Sequence, residues 1–268
     1  MGQLVRDGDT VALEGCTHLV PYAAGHEIIR QGRSGLTLVR MTPDLIYDQL
    51  IGMGCARKLV FSWGDQGRVG PLPRLRDAME KGWPQPLEVE EHSHAGMANA
   101  YAAGASDLPF AAMRGYAGCN PSGLERHVRP VTCPFTGETL VAVPSVRPDV
   151  AVIHAQKADR RGNVLLWGIL GVQKEAVLAA RGVIVTVEEI VDDLEAWPGA
   201  CVLPSRLISA VCPVPGGAWP SSTLGYYRRD EAFYRAWGKI AGDRQGFLAW
   251  MRRHVLETED HEEFRRVH

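Results

Sequence analysis

The stretch DTVALEGCTHLVPYAAGHEIIRQGRSGLTLVRM, residues 9–41, sets the architecture of the chain. Two runs rich in apolar and β-branched residues, DTVALEG (9–15) and LTLVRM (36–41), predict strands. Between them, PYAAGHEIIRQG (21–32) shows helical spacing and has a glycine where the helix would stop. A strand, a helix and a second strand in this order indicate parallel neighbours joined by a crossover connection.

The same unit repeats along the chain. Further strands are predicted at KLVFSW (58–63), LEVEEH (87–92), PFAAMRG (109–115), VAVIHAQ (150–156) and GVIVTVEEI (182–190). Helical spacing occupies residues 69–82, 93–105 and 171–182. This alternation predicts the α/β class, with an open, mainly parallel sheet flanked by helices.

The composition favours one globular domain over residues 1–268. The 268 residues are 46% hydrophobic and 22% charged, with a formal net charge of −2 and no long run of like charges, which excludes nucleic acid as an expected partner. Apolar runs too short to span a membrane, and a start without signal-peptide regions, predict a cytoplasmic protein with no membrane partner. Six cysteines without a CxxC pair predict reduced thiols.

The last quarter of the chain has a different texture. Residues 204–229 are dense in Pro, Gly and Ser and predict an irregular segment, whereas residues 230–268 predict a helical tail. We expect this tail to wrap over the domain or to join a contact with another polypeptide.

Candidate ligand-binding residues follow the predicted strands. In an open parallel sheet, ligands gather where the carboxyl ends of the strands meet. This rule and the charged turn at 159–161 select Cys16, Thr17, His18, Arg40, Ser62, Trp63, Gly64, His92, Ser93, Arg114, Gly115, Trp167 and Gly168. Ser93 is also the predicted N-cap of a helix, which would direct N–H groups at an anion. Arg40 could instead pair with Asp44 or Glu14 and hold the rim of the sheet.

The motif EEHSH, residues 90–94, concentrates titratable groups at one strand end. Glu91 and His94 are the candidates for acid–base chemistry. The His-x-His spacing also suits a metal, but no further ligand stands out, so no metal site is predicted. The third possibility is a solvated strand end, with Glu90 and His92 on one side and Glu91 and Ser93 on the other.

Three other stretches have simpler explanations. GDQGRVG (64–70) lacks the spacing of a nucleotide-binding loop, although its backbone amides could bind an oxygen. ADRRGNVLLWGILG (158–171) is compatible with an antiparallel hairpin at the sheet edge. The adjacent acids of VTVEEIVDDLE (185–195) are explained by a helix N-terminus, where negative side chains are stabilised.

Several segments together resemble the A subunit of the class I CoA-transferases, and most closely the glutaconate and 3-oxoadipate branch. They include EGCTHLVPYAAGHEIIRQG (14–32), EEHSHAGMANAYAAGASDLPFA (90–111), VTCPFTGE (131–138) and HAQKADRRGNVLLWGILGVQKEA (154–176). The resemblance implies the open α/β fold of that family and a CoA-transferase B subunit as partner in an A2B2 heterotetramer. It also implies short dicarboxylyl-CoA substrates, with coenzyme A as part of the substrate and no permanently bound cofactor.

The resemblance places the nucleophilic glutamate of the family in the B subunit. EEHSH would then form the wall that the A subunit contributes to the acyl pocket, with histidines as donors and a glutamate as orienting base. The chain departs from the usual pattern of its relatives at Cys16, Asp65, Arg68, Trp219 and Leu224, which leaves the acyl substrate open.

Two alternatives stay open from the sequence. The same fold hosts a decarboxylase of 3-methylglutaconyl-CoA, and a residue other than glutamate at the nucleophile position of the partner would favour that lyase. A non-catalytic CoA-binding or scaffold protein is the other, and it would fold without a partner.

Overall fold

The computed structural model describes residues 4–64, 70–116 and 127–268. The strands follow in chain order: β1 Thr10–Glu14, β2 Leu36–Arg40, β3 Ala56–Phe61, β4 Glu88–Glu91, β5 Phe110–Met113, β6 Arg129–Thr132, β7 Thr139–Pro144, β8 Val150–Asp159, β9 Val164–Leu166, β10 Gly182–Val191, β11 Cys201–Leu203 and β12 Ala210–Pro213. The α-helices are α1 Tyr22–Arg30, α2 Leu45–Gly52, α3 Pro73–Lys81, α4 His94–Ala105, α5 Gln173–Ala179, α6 Glu231–Ile240, α7 Arg244–Met251 and α8 His261–Arg266.

The main sheet is largely parallel. Its parallel part runs in the order β4, β3, β2, β1, β8, β10 and β12, so β1 lies in the middle. Strands β1 and β2 are buried along almost their whole length, as expected for parallel strands covered by helices on both faces. The predicted α/β class and open parallel sheet are confirmed.

The turn at residues 160–163 reverses the chain as a hairpin. β9 pairs antiparallel with the end of β8, and β11 pairs antiparallel with β9. This matches the hairpin interpretation of that segment, and it places Trp167 and Gly168 directly after β9.

The predicted strand at 109–115 does not belong to the parallel sheet. β5 joins a separate antiparallel sheet in the order β5, β7, β6. Its residues alternate between exposed and half-buried, which suits an antiparallel sheet with one solvated face rather than a parallel strand. The prediction that Arg114 and Gly115 end a strand of the main sheet is therefore wrong.

Helices cover the main sheet on both faces. One apolar cluster contains residues of α1, α2, α3 and the tail, and the other contains residues of α4 and α5. The tail contributes fully buried side chains to the first cluster, namely Trp237, Phe247, Met251, Val255 and Phe264. The helical tail therefore packs over the α1 face, as one of the two expectations for it required.

No helix among the described residues is long and apolar enough to cross a membrane.

Two buried histidines, His26 of α1 and His261 of the tail, lie where the tail packs on α1, with ring centroids 5.8 Å apart. His261 Nε2 donates to the carbonyl of Gly216 at 2.9 Å, and His26 Nε2 lies 2.8 Å from Gln49 Oε1. Burial lowers the pKa of His261 to about 3 and holds the pKa of His26 well below its usual value. Both rings are therefore neutral in the folded protein at neutral pH.

This burial predicts that acid weakens the fold. Unfolded histidines bind protons below about pH 6.5, whereas the folded ones stay neutral, so the unfolding free energy falls as pH falls. Each such histidine contributes a slope of about 1.4 kcal/mol per pH unit. His261→Gln keeps a donor for Gly216, so chemical unfolding between pH 6 and 4 should show a shallower slope for this variant. Equal slopes would contradict the assignment.

Candidate functional site

The end of β1 is fixed by buried charges. The Glu14 carboxylate accepts hydrogen bonds from the Met41 N–H at 3.1 Å and from the Tyr101 hydroxyl at 2.7 Å. Arg40, only 1% exposed, donates to the Gly15 carbonyl at 2.7 Å and pairs with Asp44 at 3.3 Å. Arg40 thus adopts the rim-holding arrangement that the sequence left open.

The EEHSH motif has a closed half, Glu90 and His92, whose side chains are half-buried or buried. Its open half consists of the exposed residues Glu91, Ser93 and His94. His92 is buried, and its Nε2 lies 2.9 Å from Glu90 Oε1, while Lys58 binds the same carboxylate at 2.7 Å. Although burial opposes ionisation, His92 and Lys58 lower the pKa of Glu90 to about 2. Glu90 and His92 share one side of the strand, as the alternation predicted, but the His92 ring is not solvated.

Two residues of the open half, Ser93 and His94, form the start of α4. Ser93 caps the helix by accepting the Gly96 N–H at 3.0 Å, as predicted. The Tyr116 hydroxyl accepts the Ser93 N–H at 3.0 Å, and a Cβ on Gly96 would overlap that hydroxyl. The first turn of α4 is therefore locked by groups on both sides.

His94 and Glu91 present exposed side chains next to this locked turn. His94 Nε2 lies 3.4 Å from Thr42 Oγ1, after β2. Glu91 and Gly64 line a cleft of about 350 Å³. A carboxylate and an imidazole at one strand end can accept, donate or orient a proton.

Ser62 and Trp63 follow β3 at the same edge of the sheet. The buried Ser62 hydroxyl donates to the Met41 carbonyl at 2.6 Å, so it braces the loop after β2. Trp63 is 52% exposed, so its ring is accessible at this edge of the sheet.

A larger cleft, of about 530 Å³, opens after β1 and β9. It is lined by Thr17, His18, Gly168, Ile169, Ser222, Leu224, Gly225, Tyr226, Tyr227, Arg228 and Arg229. His18 joins its walls, because Nδ1 lies 3.0 Å from the Ser222 carbonyl and Nε2 lies 3.1 Å from the Trp167 carbonyl. A Cβ on Gly168 would approach His18 Nε2 to 2.5 Å, so this wall requires glycine.

Cys16 directly precedes Thr17 of the larger cleft, and it is half-buried. A Cβ on Gly171 would lie 3.0 Å from the Cys16 Cβ, so the thiol residue packs against the loop before α5. Burial raises the pKa of the Cys16 thiol, which makes it a poor nucleophile at neutral pH.

Sequence reasoning missed a buried carboxylate behind the larger cleft. Glu188 lies within β10, not at a helix N-terminus, because β10 continues to Val191. Its Oε1 accepts from His154 Nε2 at 2.7 Å and from the Tyr227 hydroxyl at 2.6 Å, and its Oε2 accepts from the Gly216 N–H at 2.6 Å. Although burial opposes it, these donors lower the pKa of Glu188.

The partner histidine of this network is neutral. Burial lowers the pKa of His154, and the Thr186 hydroxyl lies 2.8 Å from its Nδ1. The ring therefore carries its proton on Nε2 and donates to Glu188. Through Tyr227 and Gly216, Glu188 fixes the irregular segment that forms one wall of the larger cleft.

Some predicted residues lie away from both clefts or outside the described chain. Arg114 is exposed and holds Glu138 with two hydrogen bonds of 2.9 Å, and Gly115 follows it after β5. Asp65 and Arg68 lie outside the described residues. Within residues 4–64, 70–116 and 127–268, no cluster of three or more His, Cys, Asp or Glu could hold a metal ion.

The family model for coenzyme A transferase matches residues 1–212. The chain belongs to the coenzyme A transferase family. It is 65% identical over 262 residues to the A subunit of the 3-oxoadipate CoA-transferase of Pseudomonas knackmussii, and the match covers 98% of this chain and 93% of that protein. The family recognition made from the sequence is confirmed.

Solved structures agree with this membership. Glutaconate CoA-transferase from Acidaminococcus fermentans superposes with a TM-score of 0.89 and 30% identity, over 99% of this chain and 89% of that chain. The decarboxylase AibA/AibB superposes with a TM-score of 0.78 and 29% identity, over 98% and 93%. The fold of the coenzyme A transferase family is thus compatible with both chemistries.

The Glu188 network predicts a stability effect for this CoA-transferase family member. Glu188→Gln places an amide N–H₂ against donors, so the free energy of unfolding should fall by about 1–3 kcal/mol. Glu189→Gln is the matched control, because Glu189 is exposed and its bonds to Lys157 and Tyr226 lie at the surface. Chemical denaturation of both variants measures the difference, and equal losses would refute the structural role of Glu188.

Proposed function

We propose that this chain is the A subunit of a CoA-transferase that acts on short dicarboxylyl-CoA thioesters of the 3-oxoadipate type. The 65% identity to the A subunit of a 3-oxoadipate CoA-transferase, over 98% of the chain, carries this proposal. The chain forms a single domain and assembles with a B subunit into a cytoplasmic A2B2 heterotetramer. Coenzyme A enters as part of the substrate, and no cofactor stays bound.

The reactive glutamate belongs to the B subunit. Three carboxylates near the clefts, those of Glu14, Glu90 and Glu188, already accept hydrogen bonds from buried partners. Glu80 lines the smaller cleft and pairs with Arg76 at 4.0 Å. Glu91 is open, but it lines the smaller cleft without a hydrogen-bond donor among the described residues. A nucleophile also needs fixed orientation, which Glu91 lacks here. Glu91 is therefore not the nucleophile, and we propose that it acts as a base beside the acyl pocket.

CoA transfer would proceed through two acyl exchanges on that glutamate. The carboxylate attacks the thioester carbonyl and expels CoA thiolate, which leaves an acyl–glutamyl anhydride. The thiolate attacks the glutamyl carbonyl, releases the donor acid and leaves an enzyme–CoA thioester. The acceptor carboxylate then repeats both steps in reverse. This chain supplies the wall that holds the acyl group.

Trapping the thioester tests this assignment. The co-purified complex is incubated with succinyl-CoA, reduced with borohydride and digested for mass spectrometry. We expect one glutamate of the second polypeptide to be reduced to an alcohol, and no reduced residue in this chain. Reduction at Glu91, or full turnover by the isolated chain, would overturn the proposal.

Decarboxylation is the second candidate, supported by the superposition on AibA/AibB and by the exposed apolar side chains of Ile169 and Leu224 in the larger cleft. An apolar wall would favour loss of a carboxylate as CO₂. Release of CO₂ from 3-methylglutaconyl-CoA without a trapped thioester would select this activity instead. The higher identity to the transferase ranks it second.

His94→Ala and Glu91→Gln should lower kcat of the assembled complex far more than its Tm. Removing an acid–base group costs on the order of 10²-fold in rate, whereas exposed side chains contribute little to stability. Glu88→Gln is the control for Glu91→Gln, because Glu88 is exposed and only pairs with Lys58. Wild-type rates in both site variants would assign the open half of EEHSH to a solvated strand end.

A further inference from the structure

Two consecutive arginines, Arg228 and Arg229, line the larger cleft. They differ in whether the guanidinium is paired with a carboxylate. Arg229 is occupied: it binds Glu231 at 2.8 and 3.1 Å, and its guanidinium lies 4.4 Å from the centre of the Tyr234 ring. Arg228 is exposed and has no hydrogen bond or ion pair to any part of the chain that the structure describes. An unpaired guanidinium at a cleft is available for a ligand.

We propose that Arg228 determines specificity by binding the distal carboxylate of the acyl group. The inference rests on the proposed function and names the residue that separates dicarboxylates from monocarboxylates. Arginine suits this task, because its planar guanidinium binds a carboxylate through two parallel hydrogen bonds.

The lining of the cleft fits an acyl chain that ends in an anion. None of the described residues that line it is acidic. The nearest carboxylates behind Tyr226 and Tyr227 are those of Glu189 and Glu188, and both tyrosine hydroxyls donate to them. Arg228 is therefore a cation at this rim that no described carboxylate pairs with, and Ile169 and Leu224 offer apolar surface for methylene groups.

The cleft also lies at the edge of the sheet where the chemistry is proposed. His18 follows β1, Thr42 follows β2, and Thr42 contacts His94. Because β1 and β2 are adjacent parallel strands, their carboxyl ends meet at one edge. An acyl group with its thioester near His94 can thus extend along this edge toward Arg228. The volume of about 530 Å³ is within the usual range for ligand pockets, about 300–1,000 Å³.

A phosphate of coenzyme A is the other anion that an arginine at this rim could bind. Two acceptor acids distinguish a phosphate contact from a carboxylate contact. 3-Oxoadipate and 3-oxohexanoate have the same number of carbons and differ in the distal carboxylate. The assembled complex is assayed with succinyl-CoA as donor and each acid as acceptor. Loss of a carboxylate contact lowers kcat/KM for 3-oxoadipate alone, whereas loss of a phosphate contact lowers kcat/KM for both acids equally.

Arg228→Met should lower kcat/KM for 3-oxoadipate on the order of 10- to 100-fold, the effect of one charge-assisted pair. The value for 3-oxohexanoate should fall by less than about threefold, and Arg228→Lys should restore part of the preference. Arg206→Met is the matched control, because Arg206 is exposed and lies outside the lining of this cleft.

Four outcomes overturn the inference. Equal losses with both acids would assign Arg228 to a phosphate of coenzyme A, and unchanged values with both would show that it binds neither. A wild-type complex that transfers CoA equally well to both acids would refute the role of Arg228 alone. A wild-type complex that transfers CoA to no acid would refute the proposed function as well.

Discussion

Arg40 is the residue on which the reactive edge of the sheet depends. Its buried guanidinium joins the Gly15 carbonyl, at the end of β1, to Asp44, the N-cap of α2. Beside it, Glu14 joins β1 to the loop after β2 and, through Tyr101, to α4. Burial raises the pKa of Glu14 while Arg40 opposes that shift. Buried charges persist only when they are paired, so removing either partner would leave the other uncompensated. The loops after β1 and β2 therefore start from one rigid point.

The ionisable groups around this edge divide into those that build it and those that face outward. Glu14, Glu90 and Glu188 are saturated by hydrogen bonds, so their contribution is positional. Glu91, at the end of β4, and His94, in the locked first turn of α4, remain open. A saturated carboxylate is a weak nucleophile, because its lone pairs are engaged and attack would require breaking those bonds. This arrangement supports the proposal that the reactive carboxylate comes from another polypeptide.

Sequence reasoning recovered the elements whose signals are local. The parallel strands around β1 are continuous apolar runs, and Ser93 caps α4 through a contact three residues away. Sequence reasoning failed where strand pairing or distant hydrogen bonds determine the structure. β5 looks like its parallel neighbours as an apolar run but is half solvated. β12 was hidden in a segment dense in Pro and Gly, and it is a strand because β10 offers it an open edge. Glu188 could not be found because its donors come from residues 34 and 39 positions away.

The wall that carries Arg228 is fixed by contacts that do not involve Arg228 itself. His18 contacts the Ser222 and Trp167 carbonyls, and Glu188 holds Tyr227, the residue before Arg228. The backbone is therefore ordered before a ligand arrives, so binding costs little conformational entropy there. The side chain itself is long and exposed, and its guanidinium can reach carboxylates at somewhat different depths. A rigid wall with a flexible cation selects for the charge of the distal group more strictly than for the length of the acyl chain.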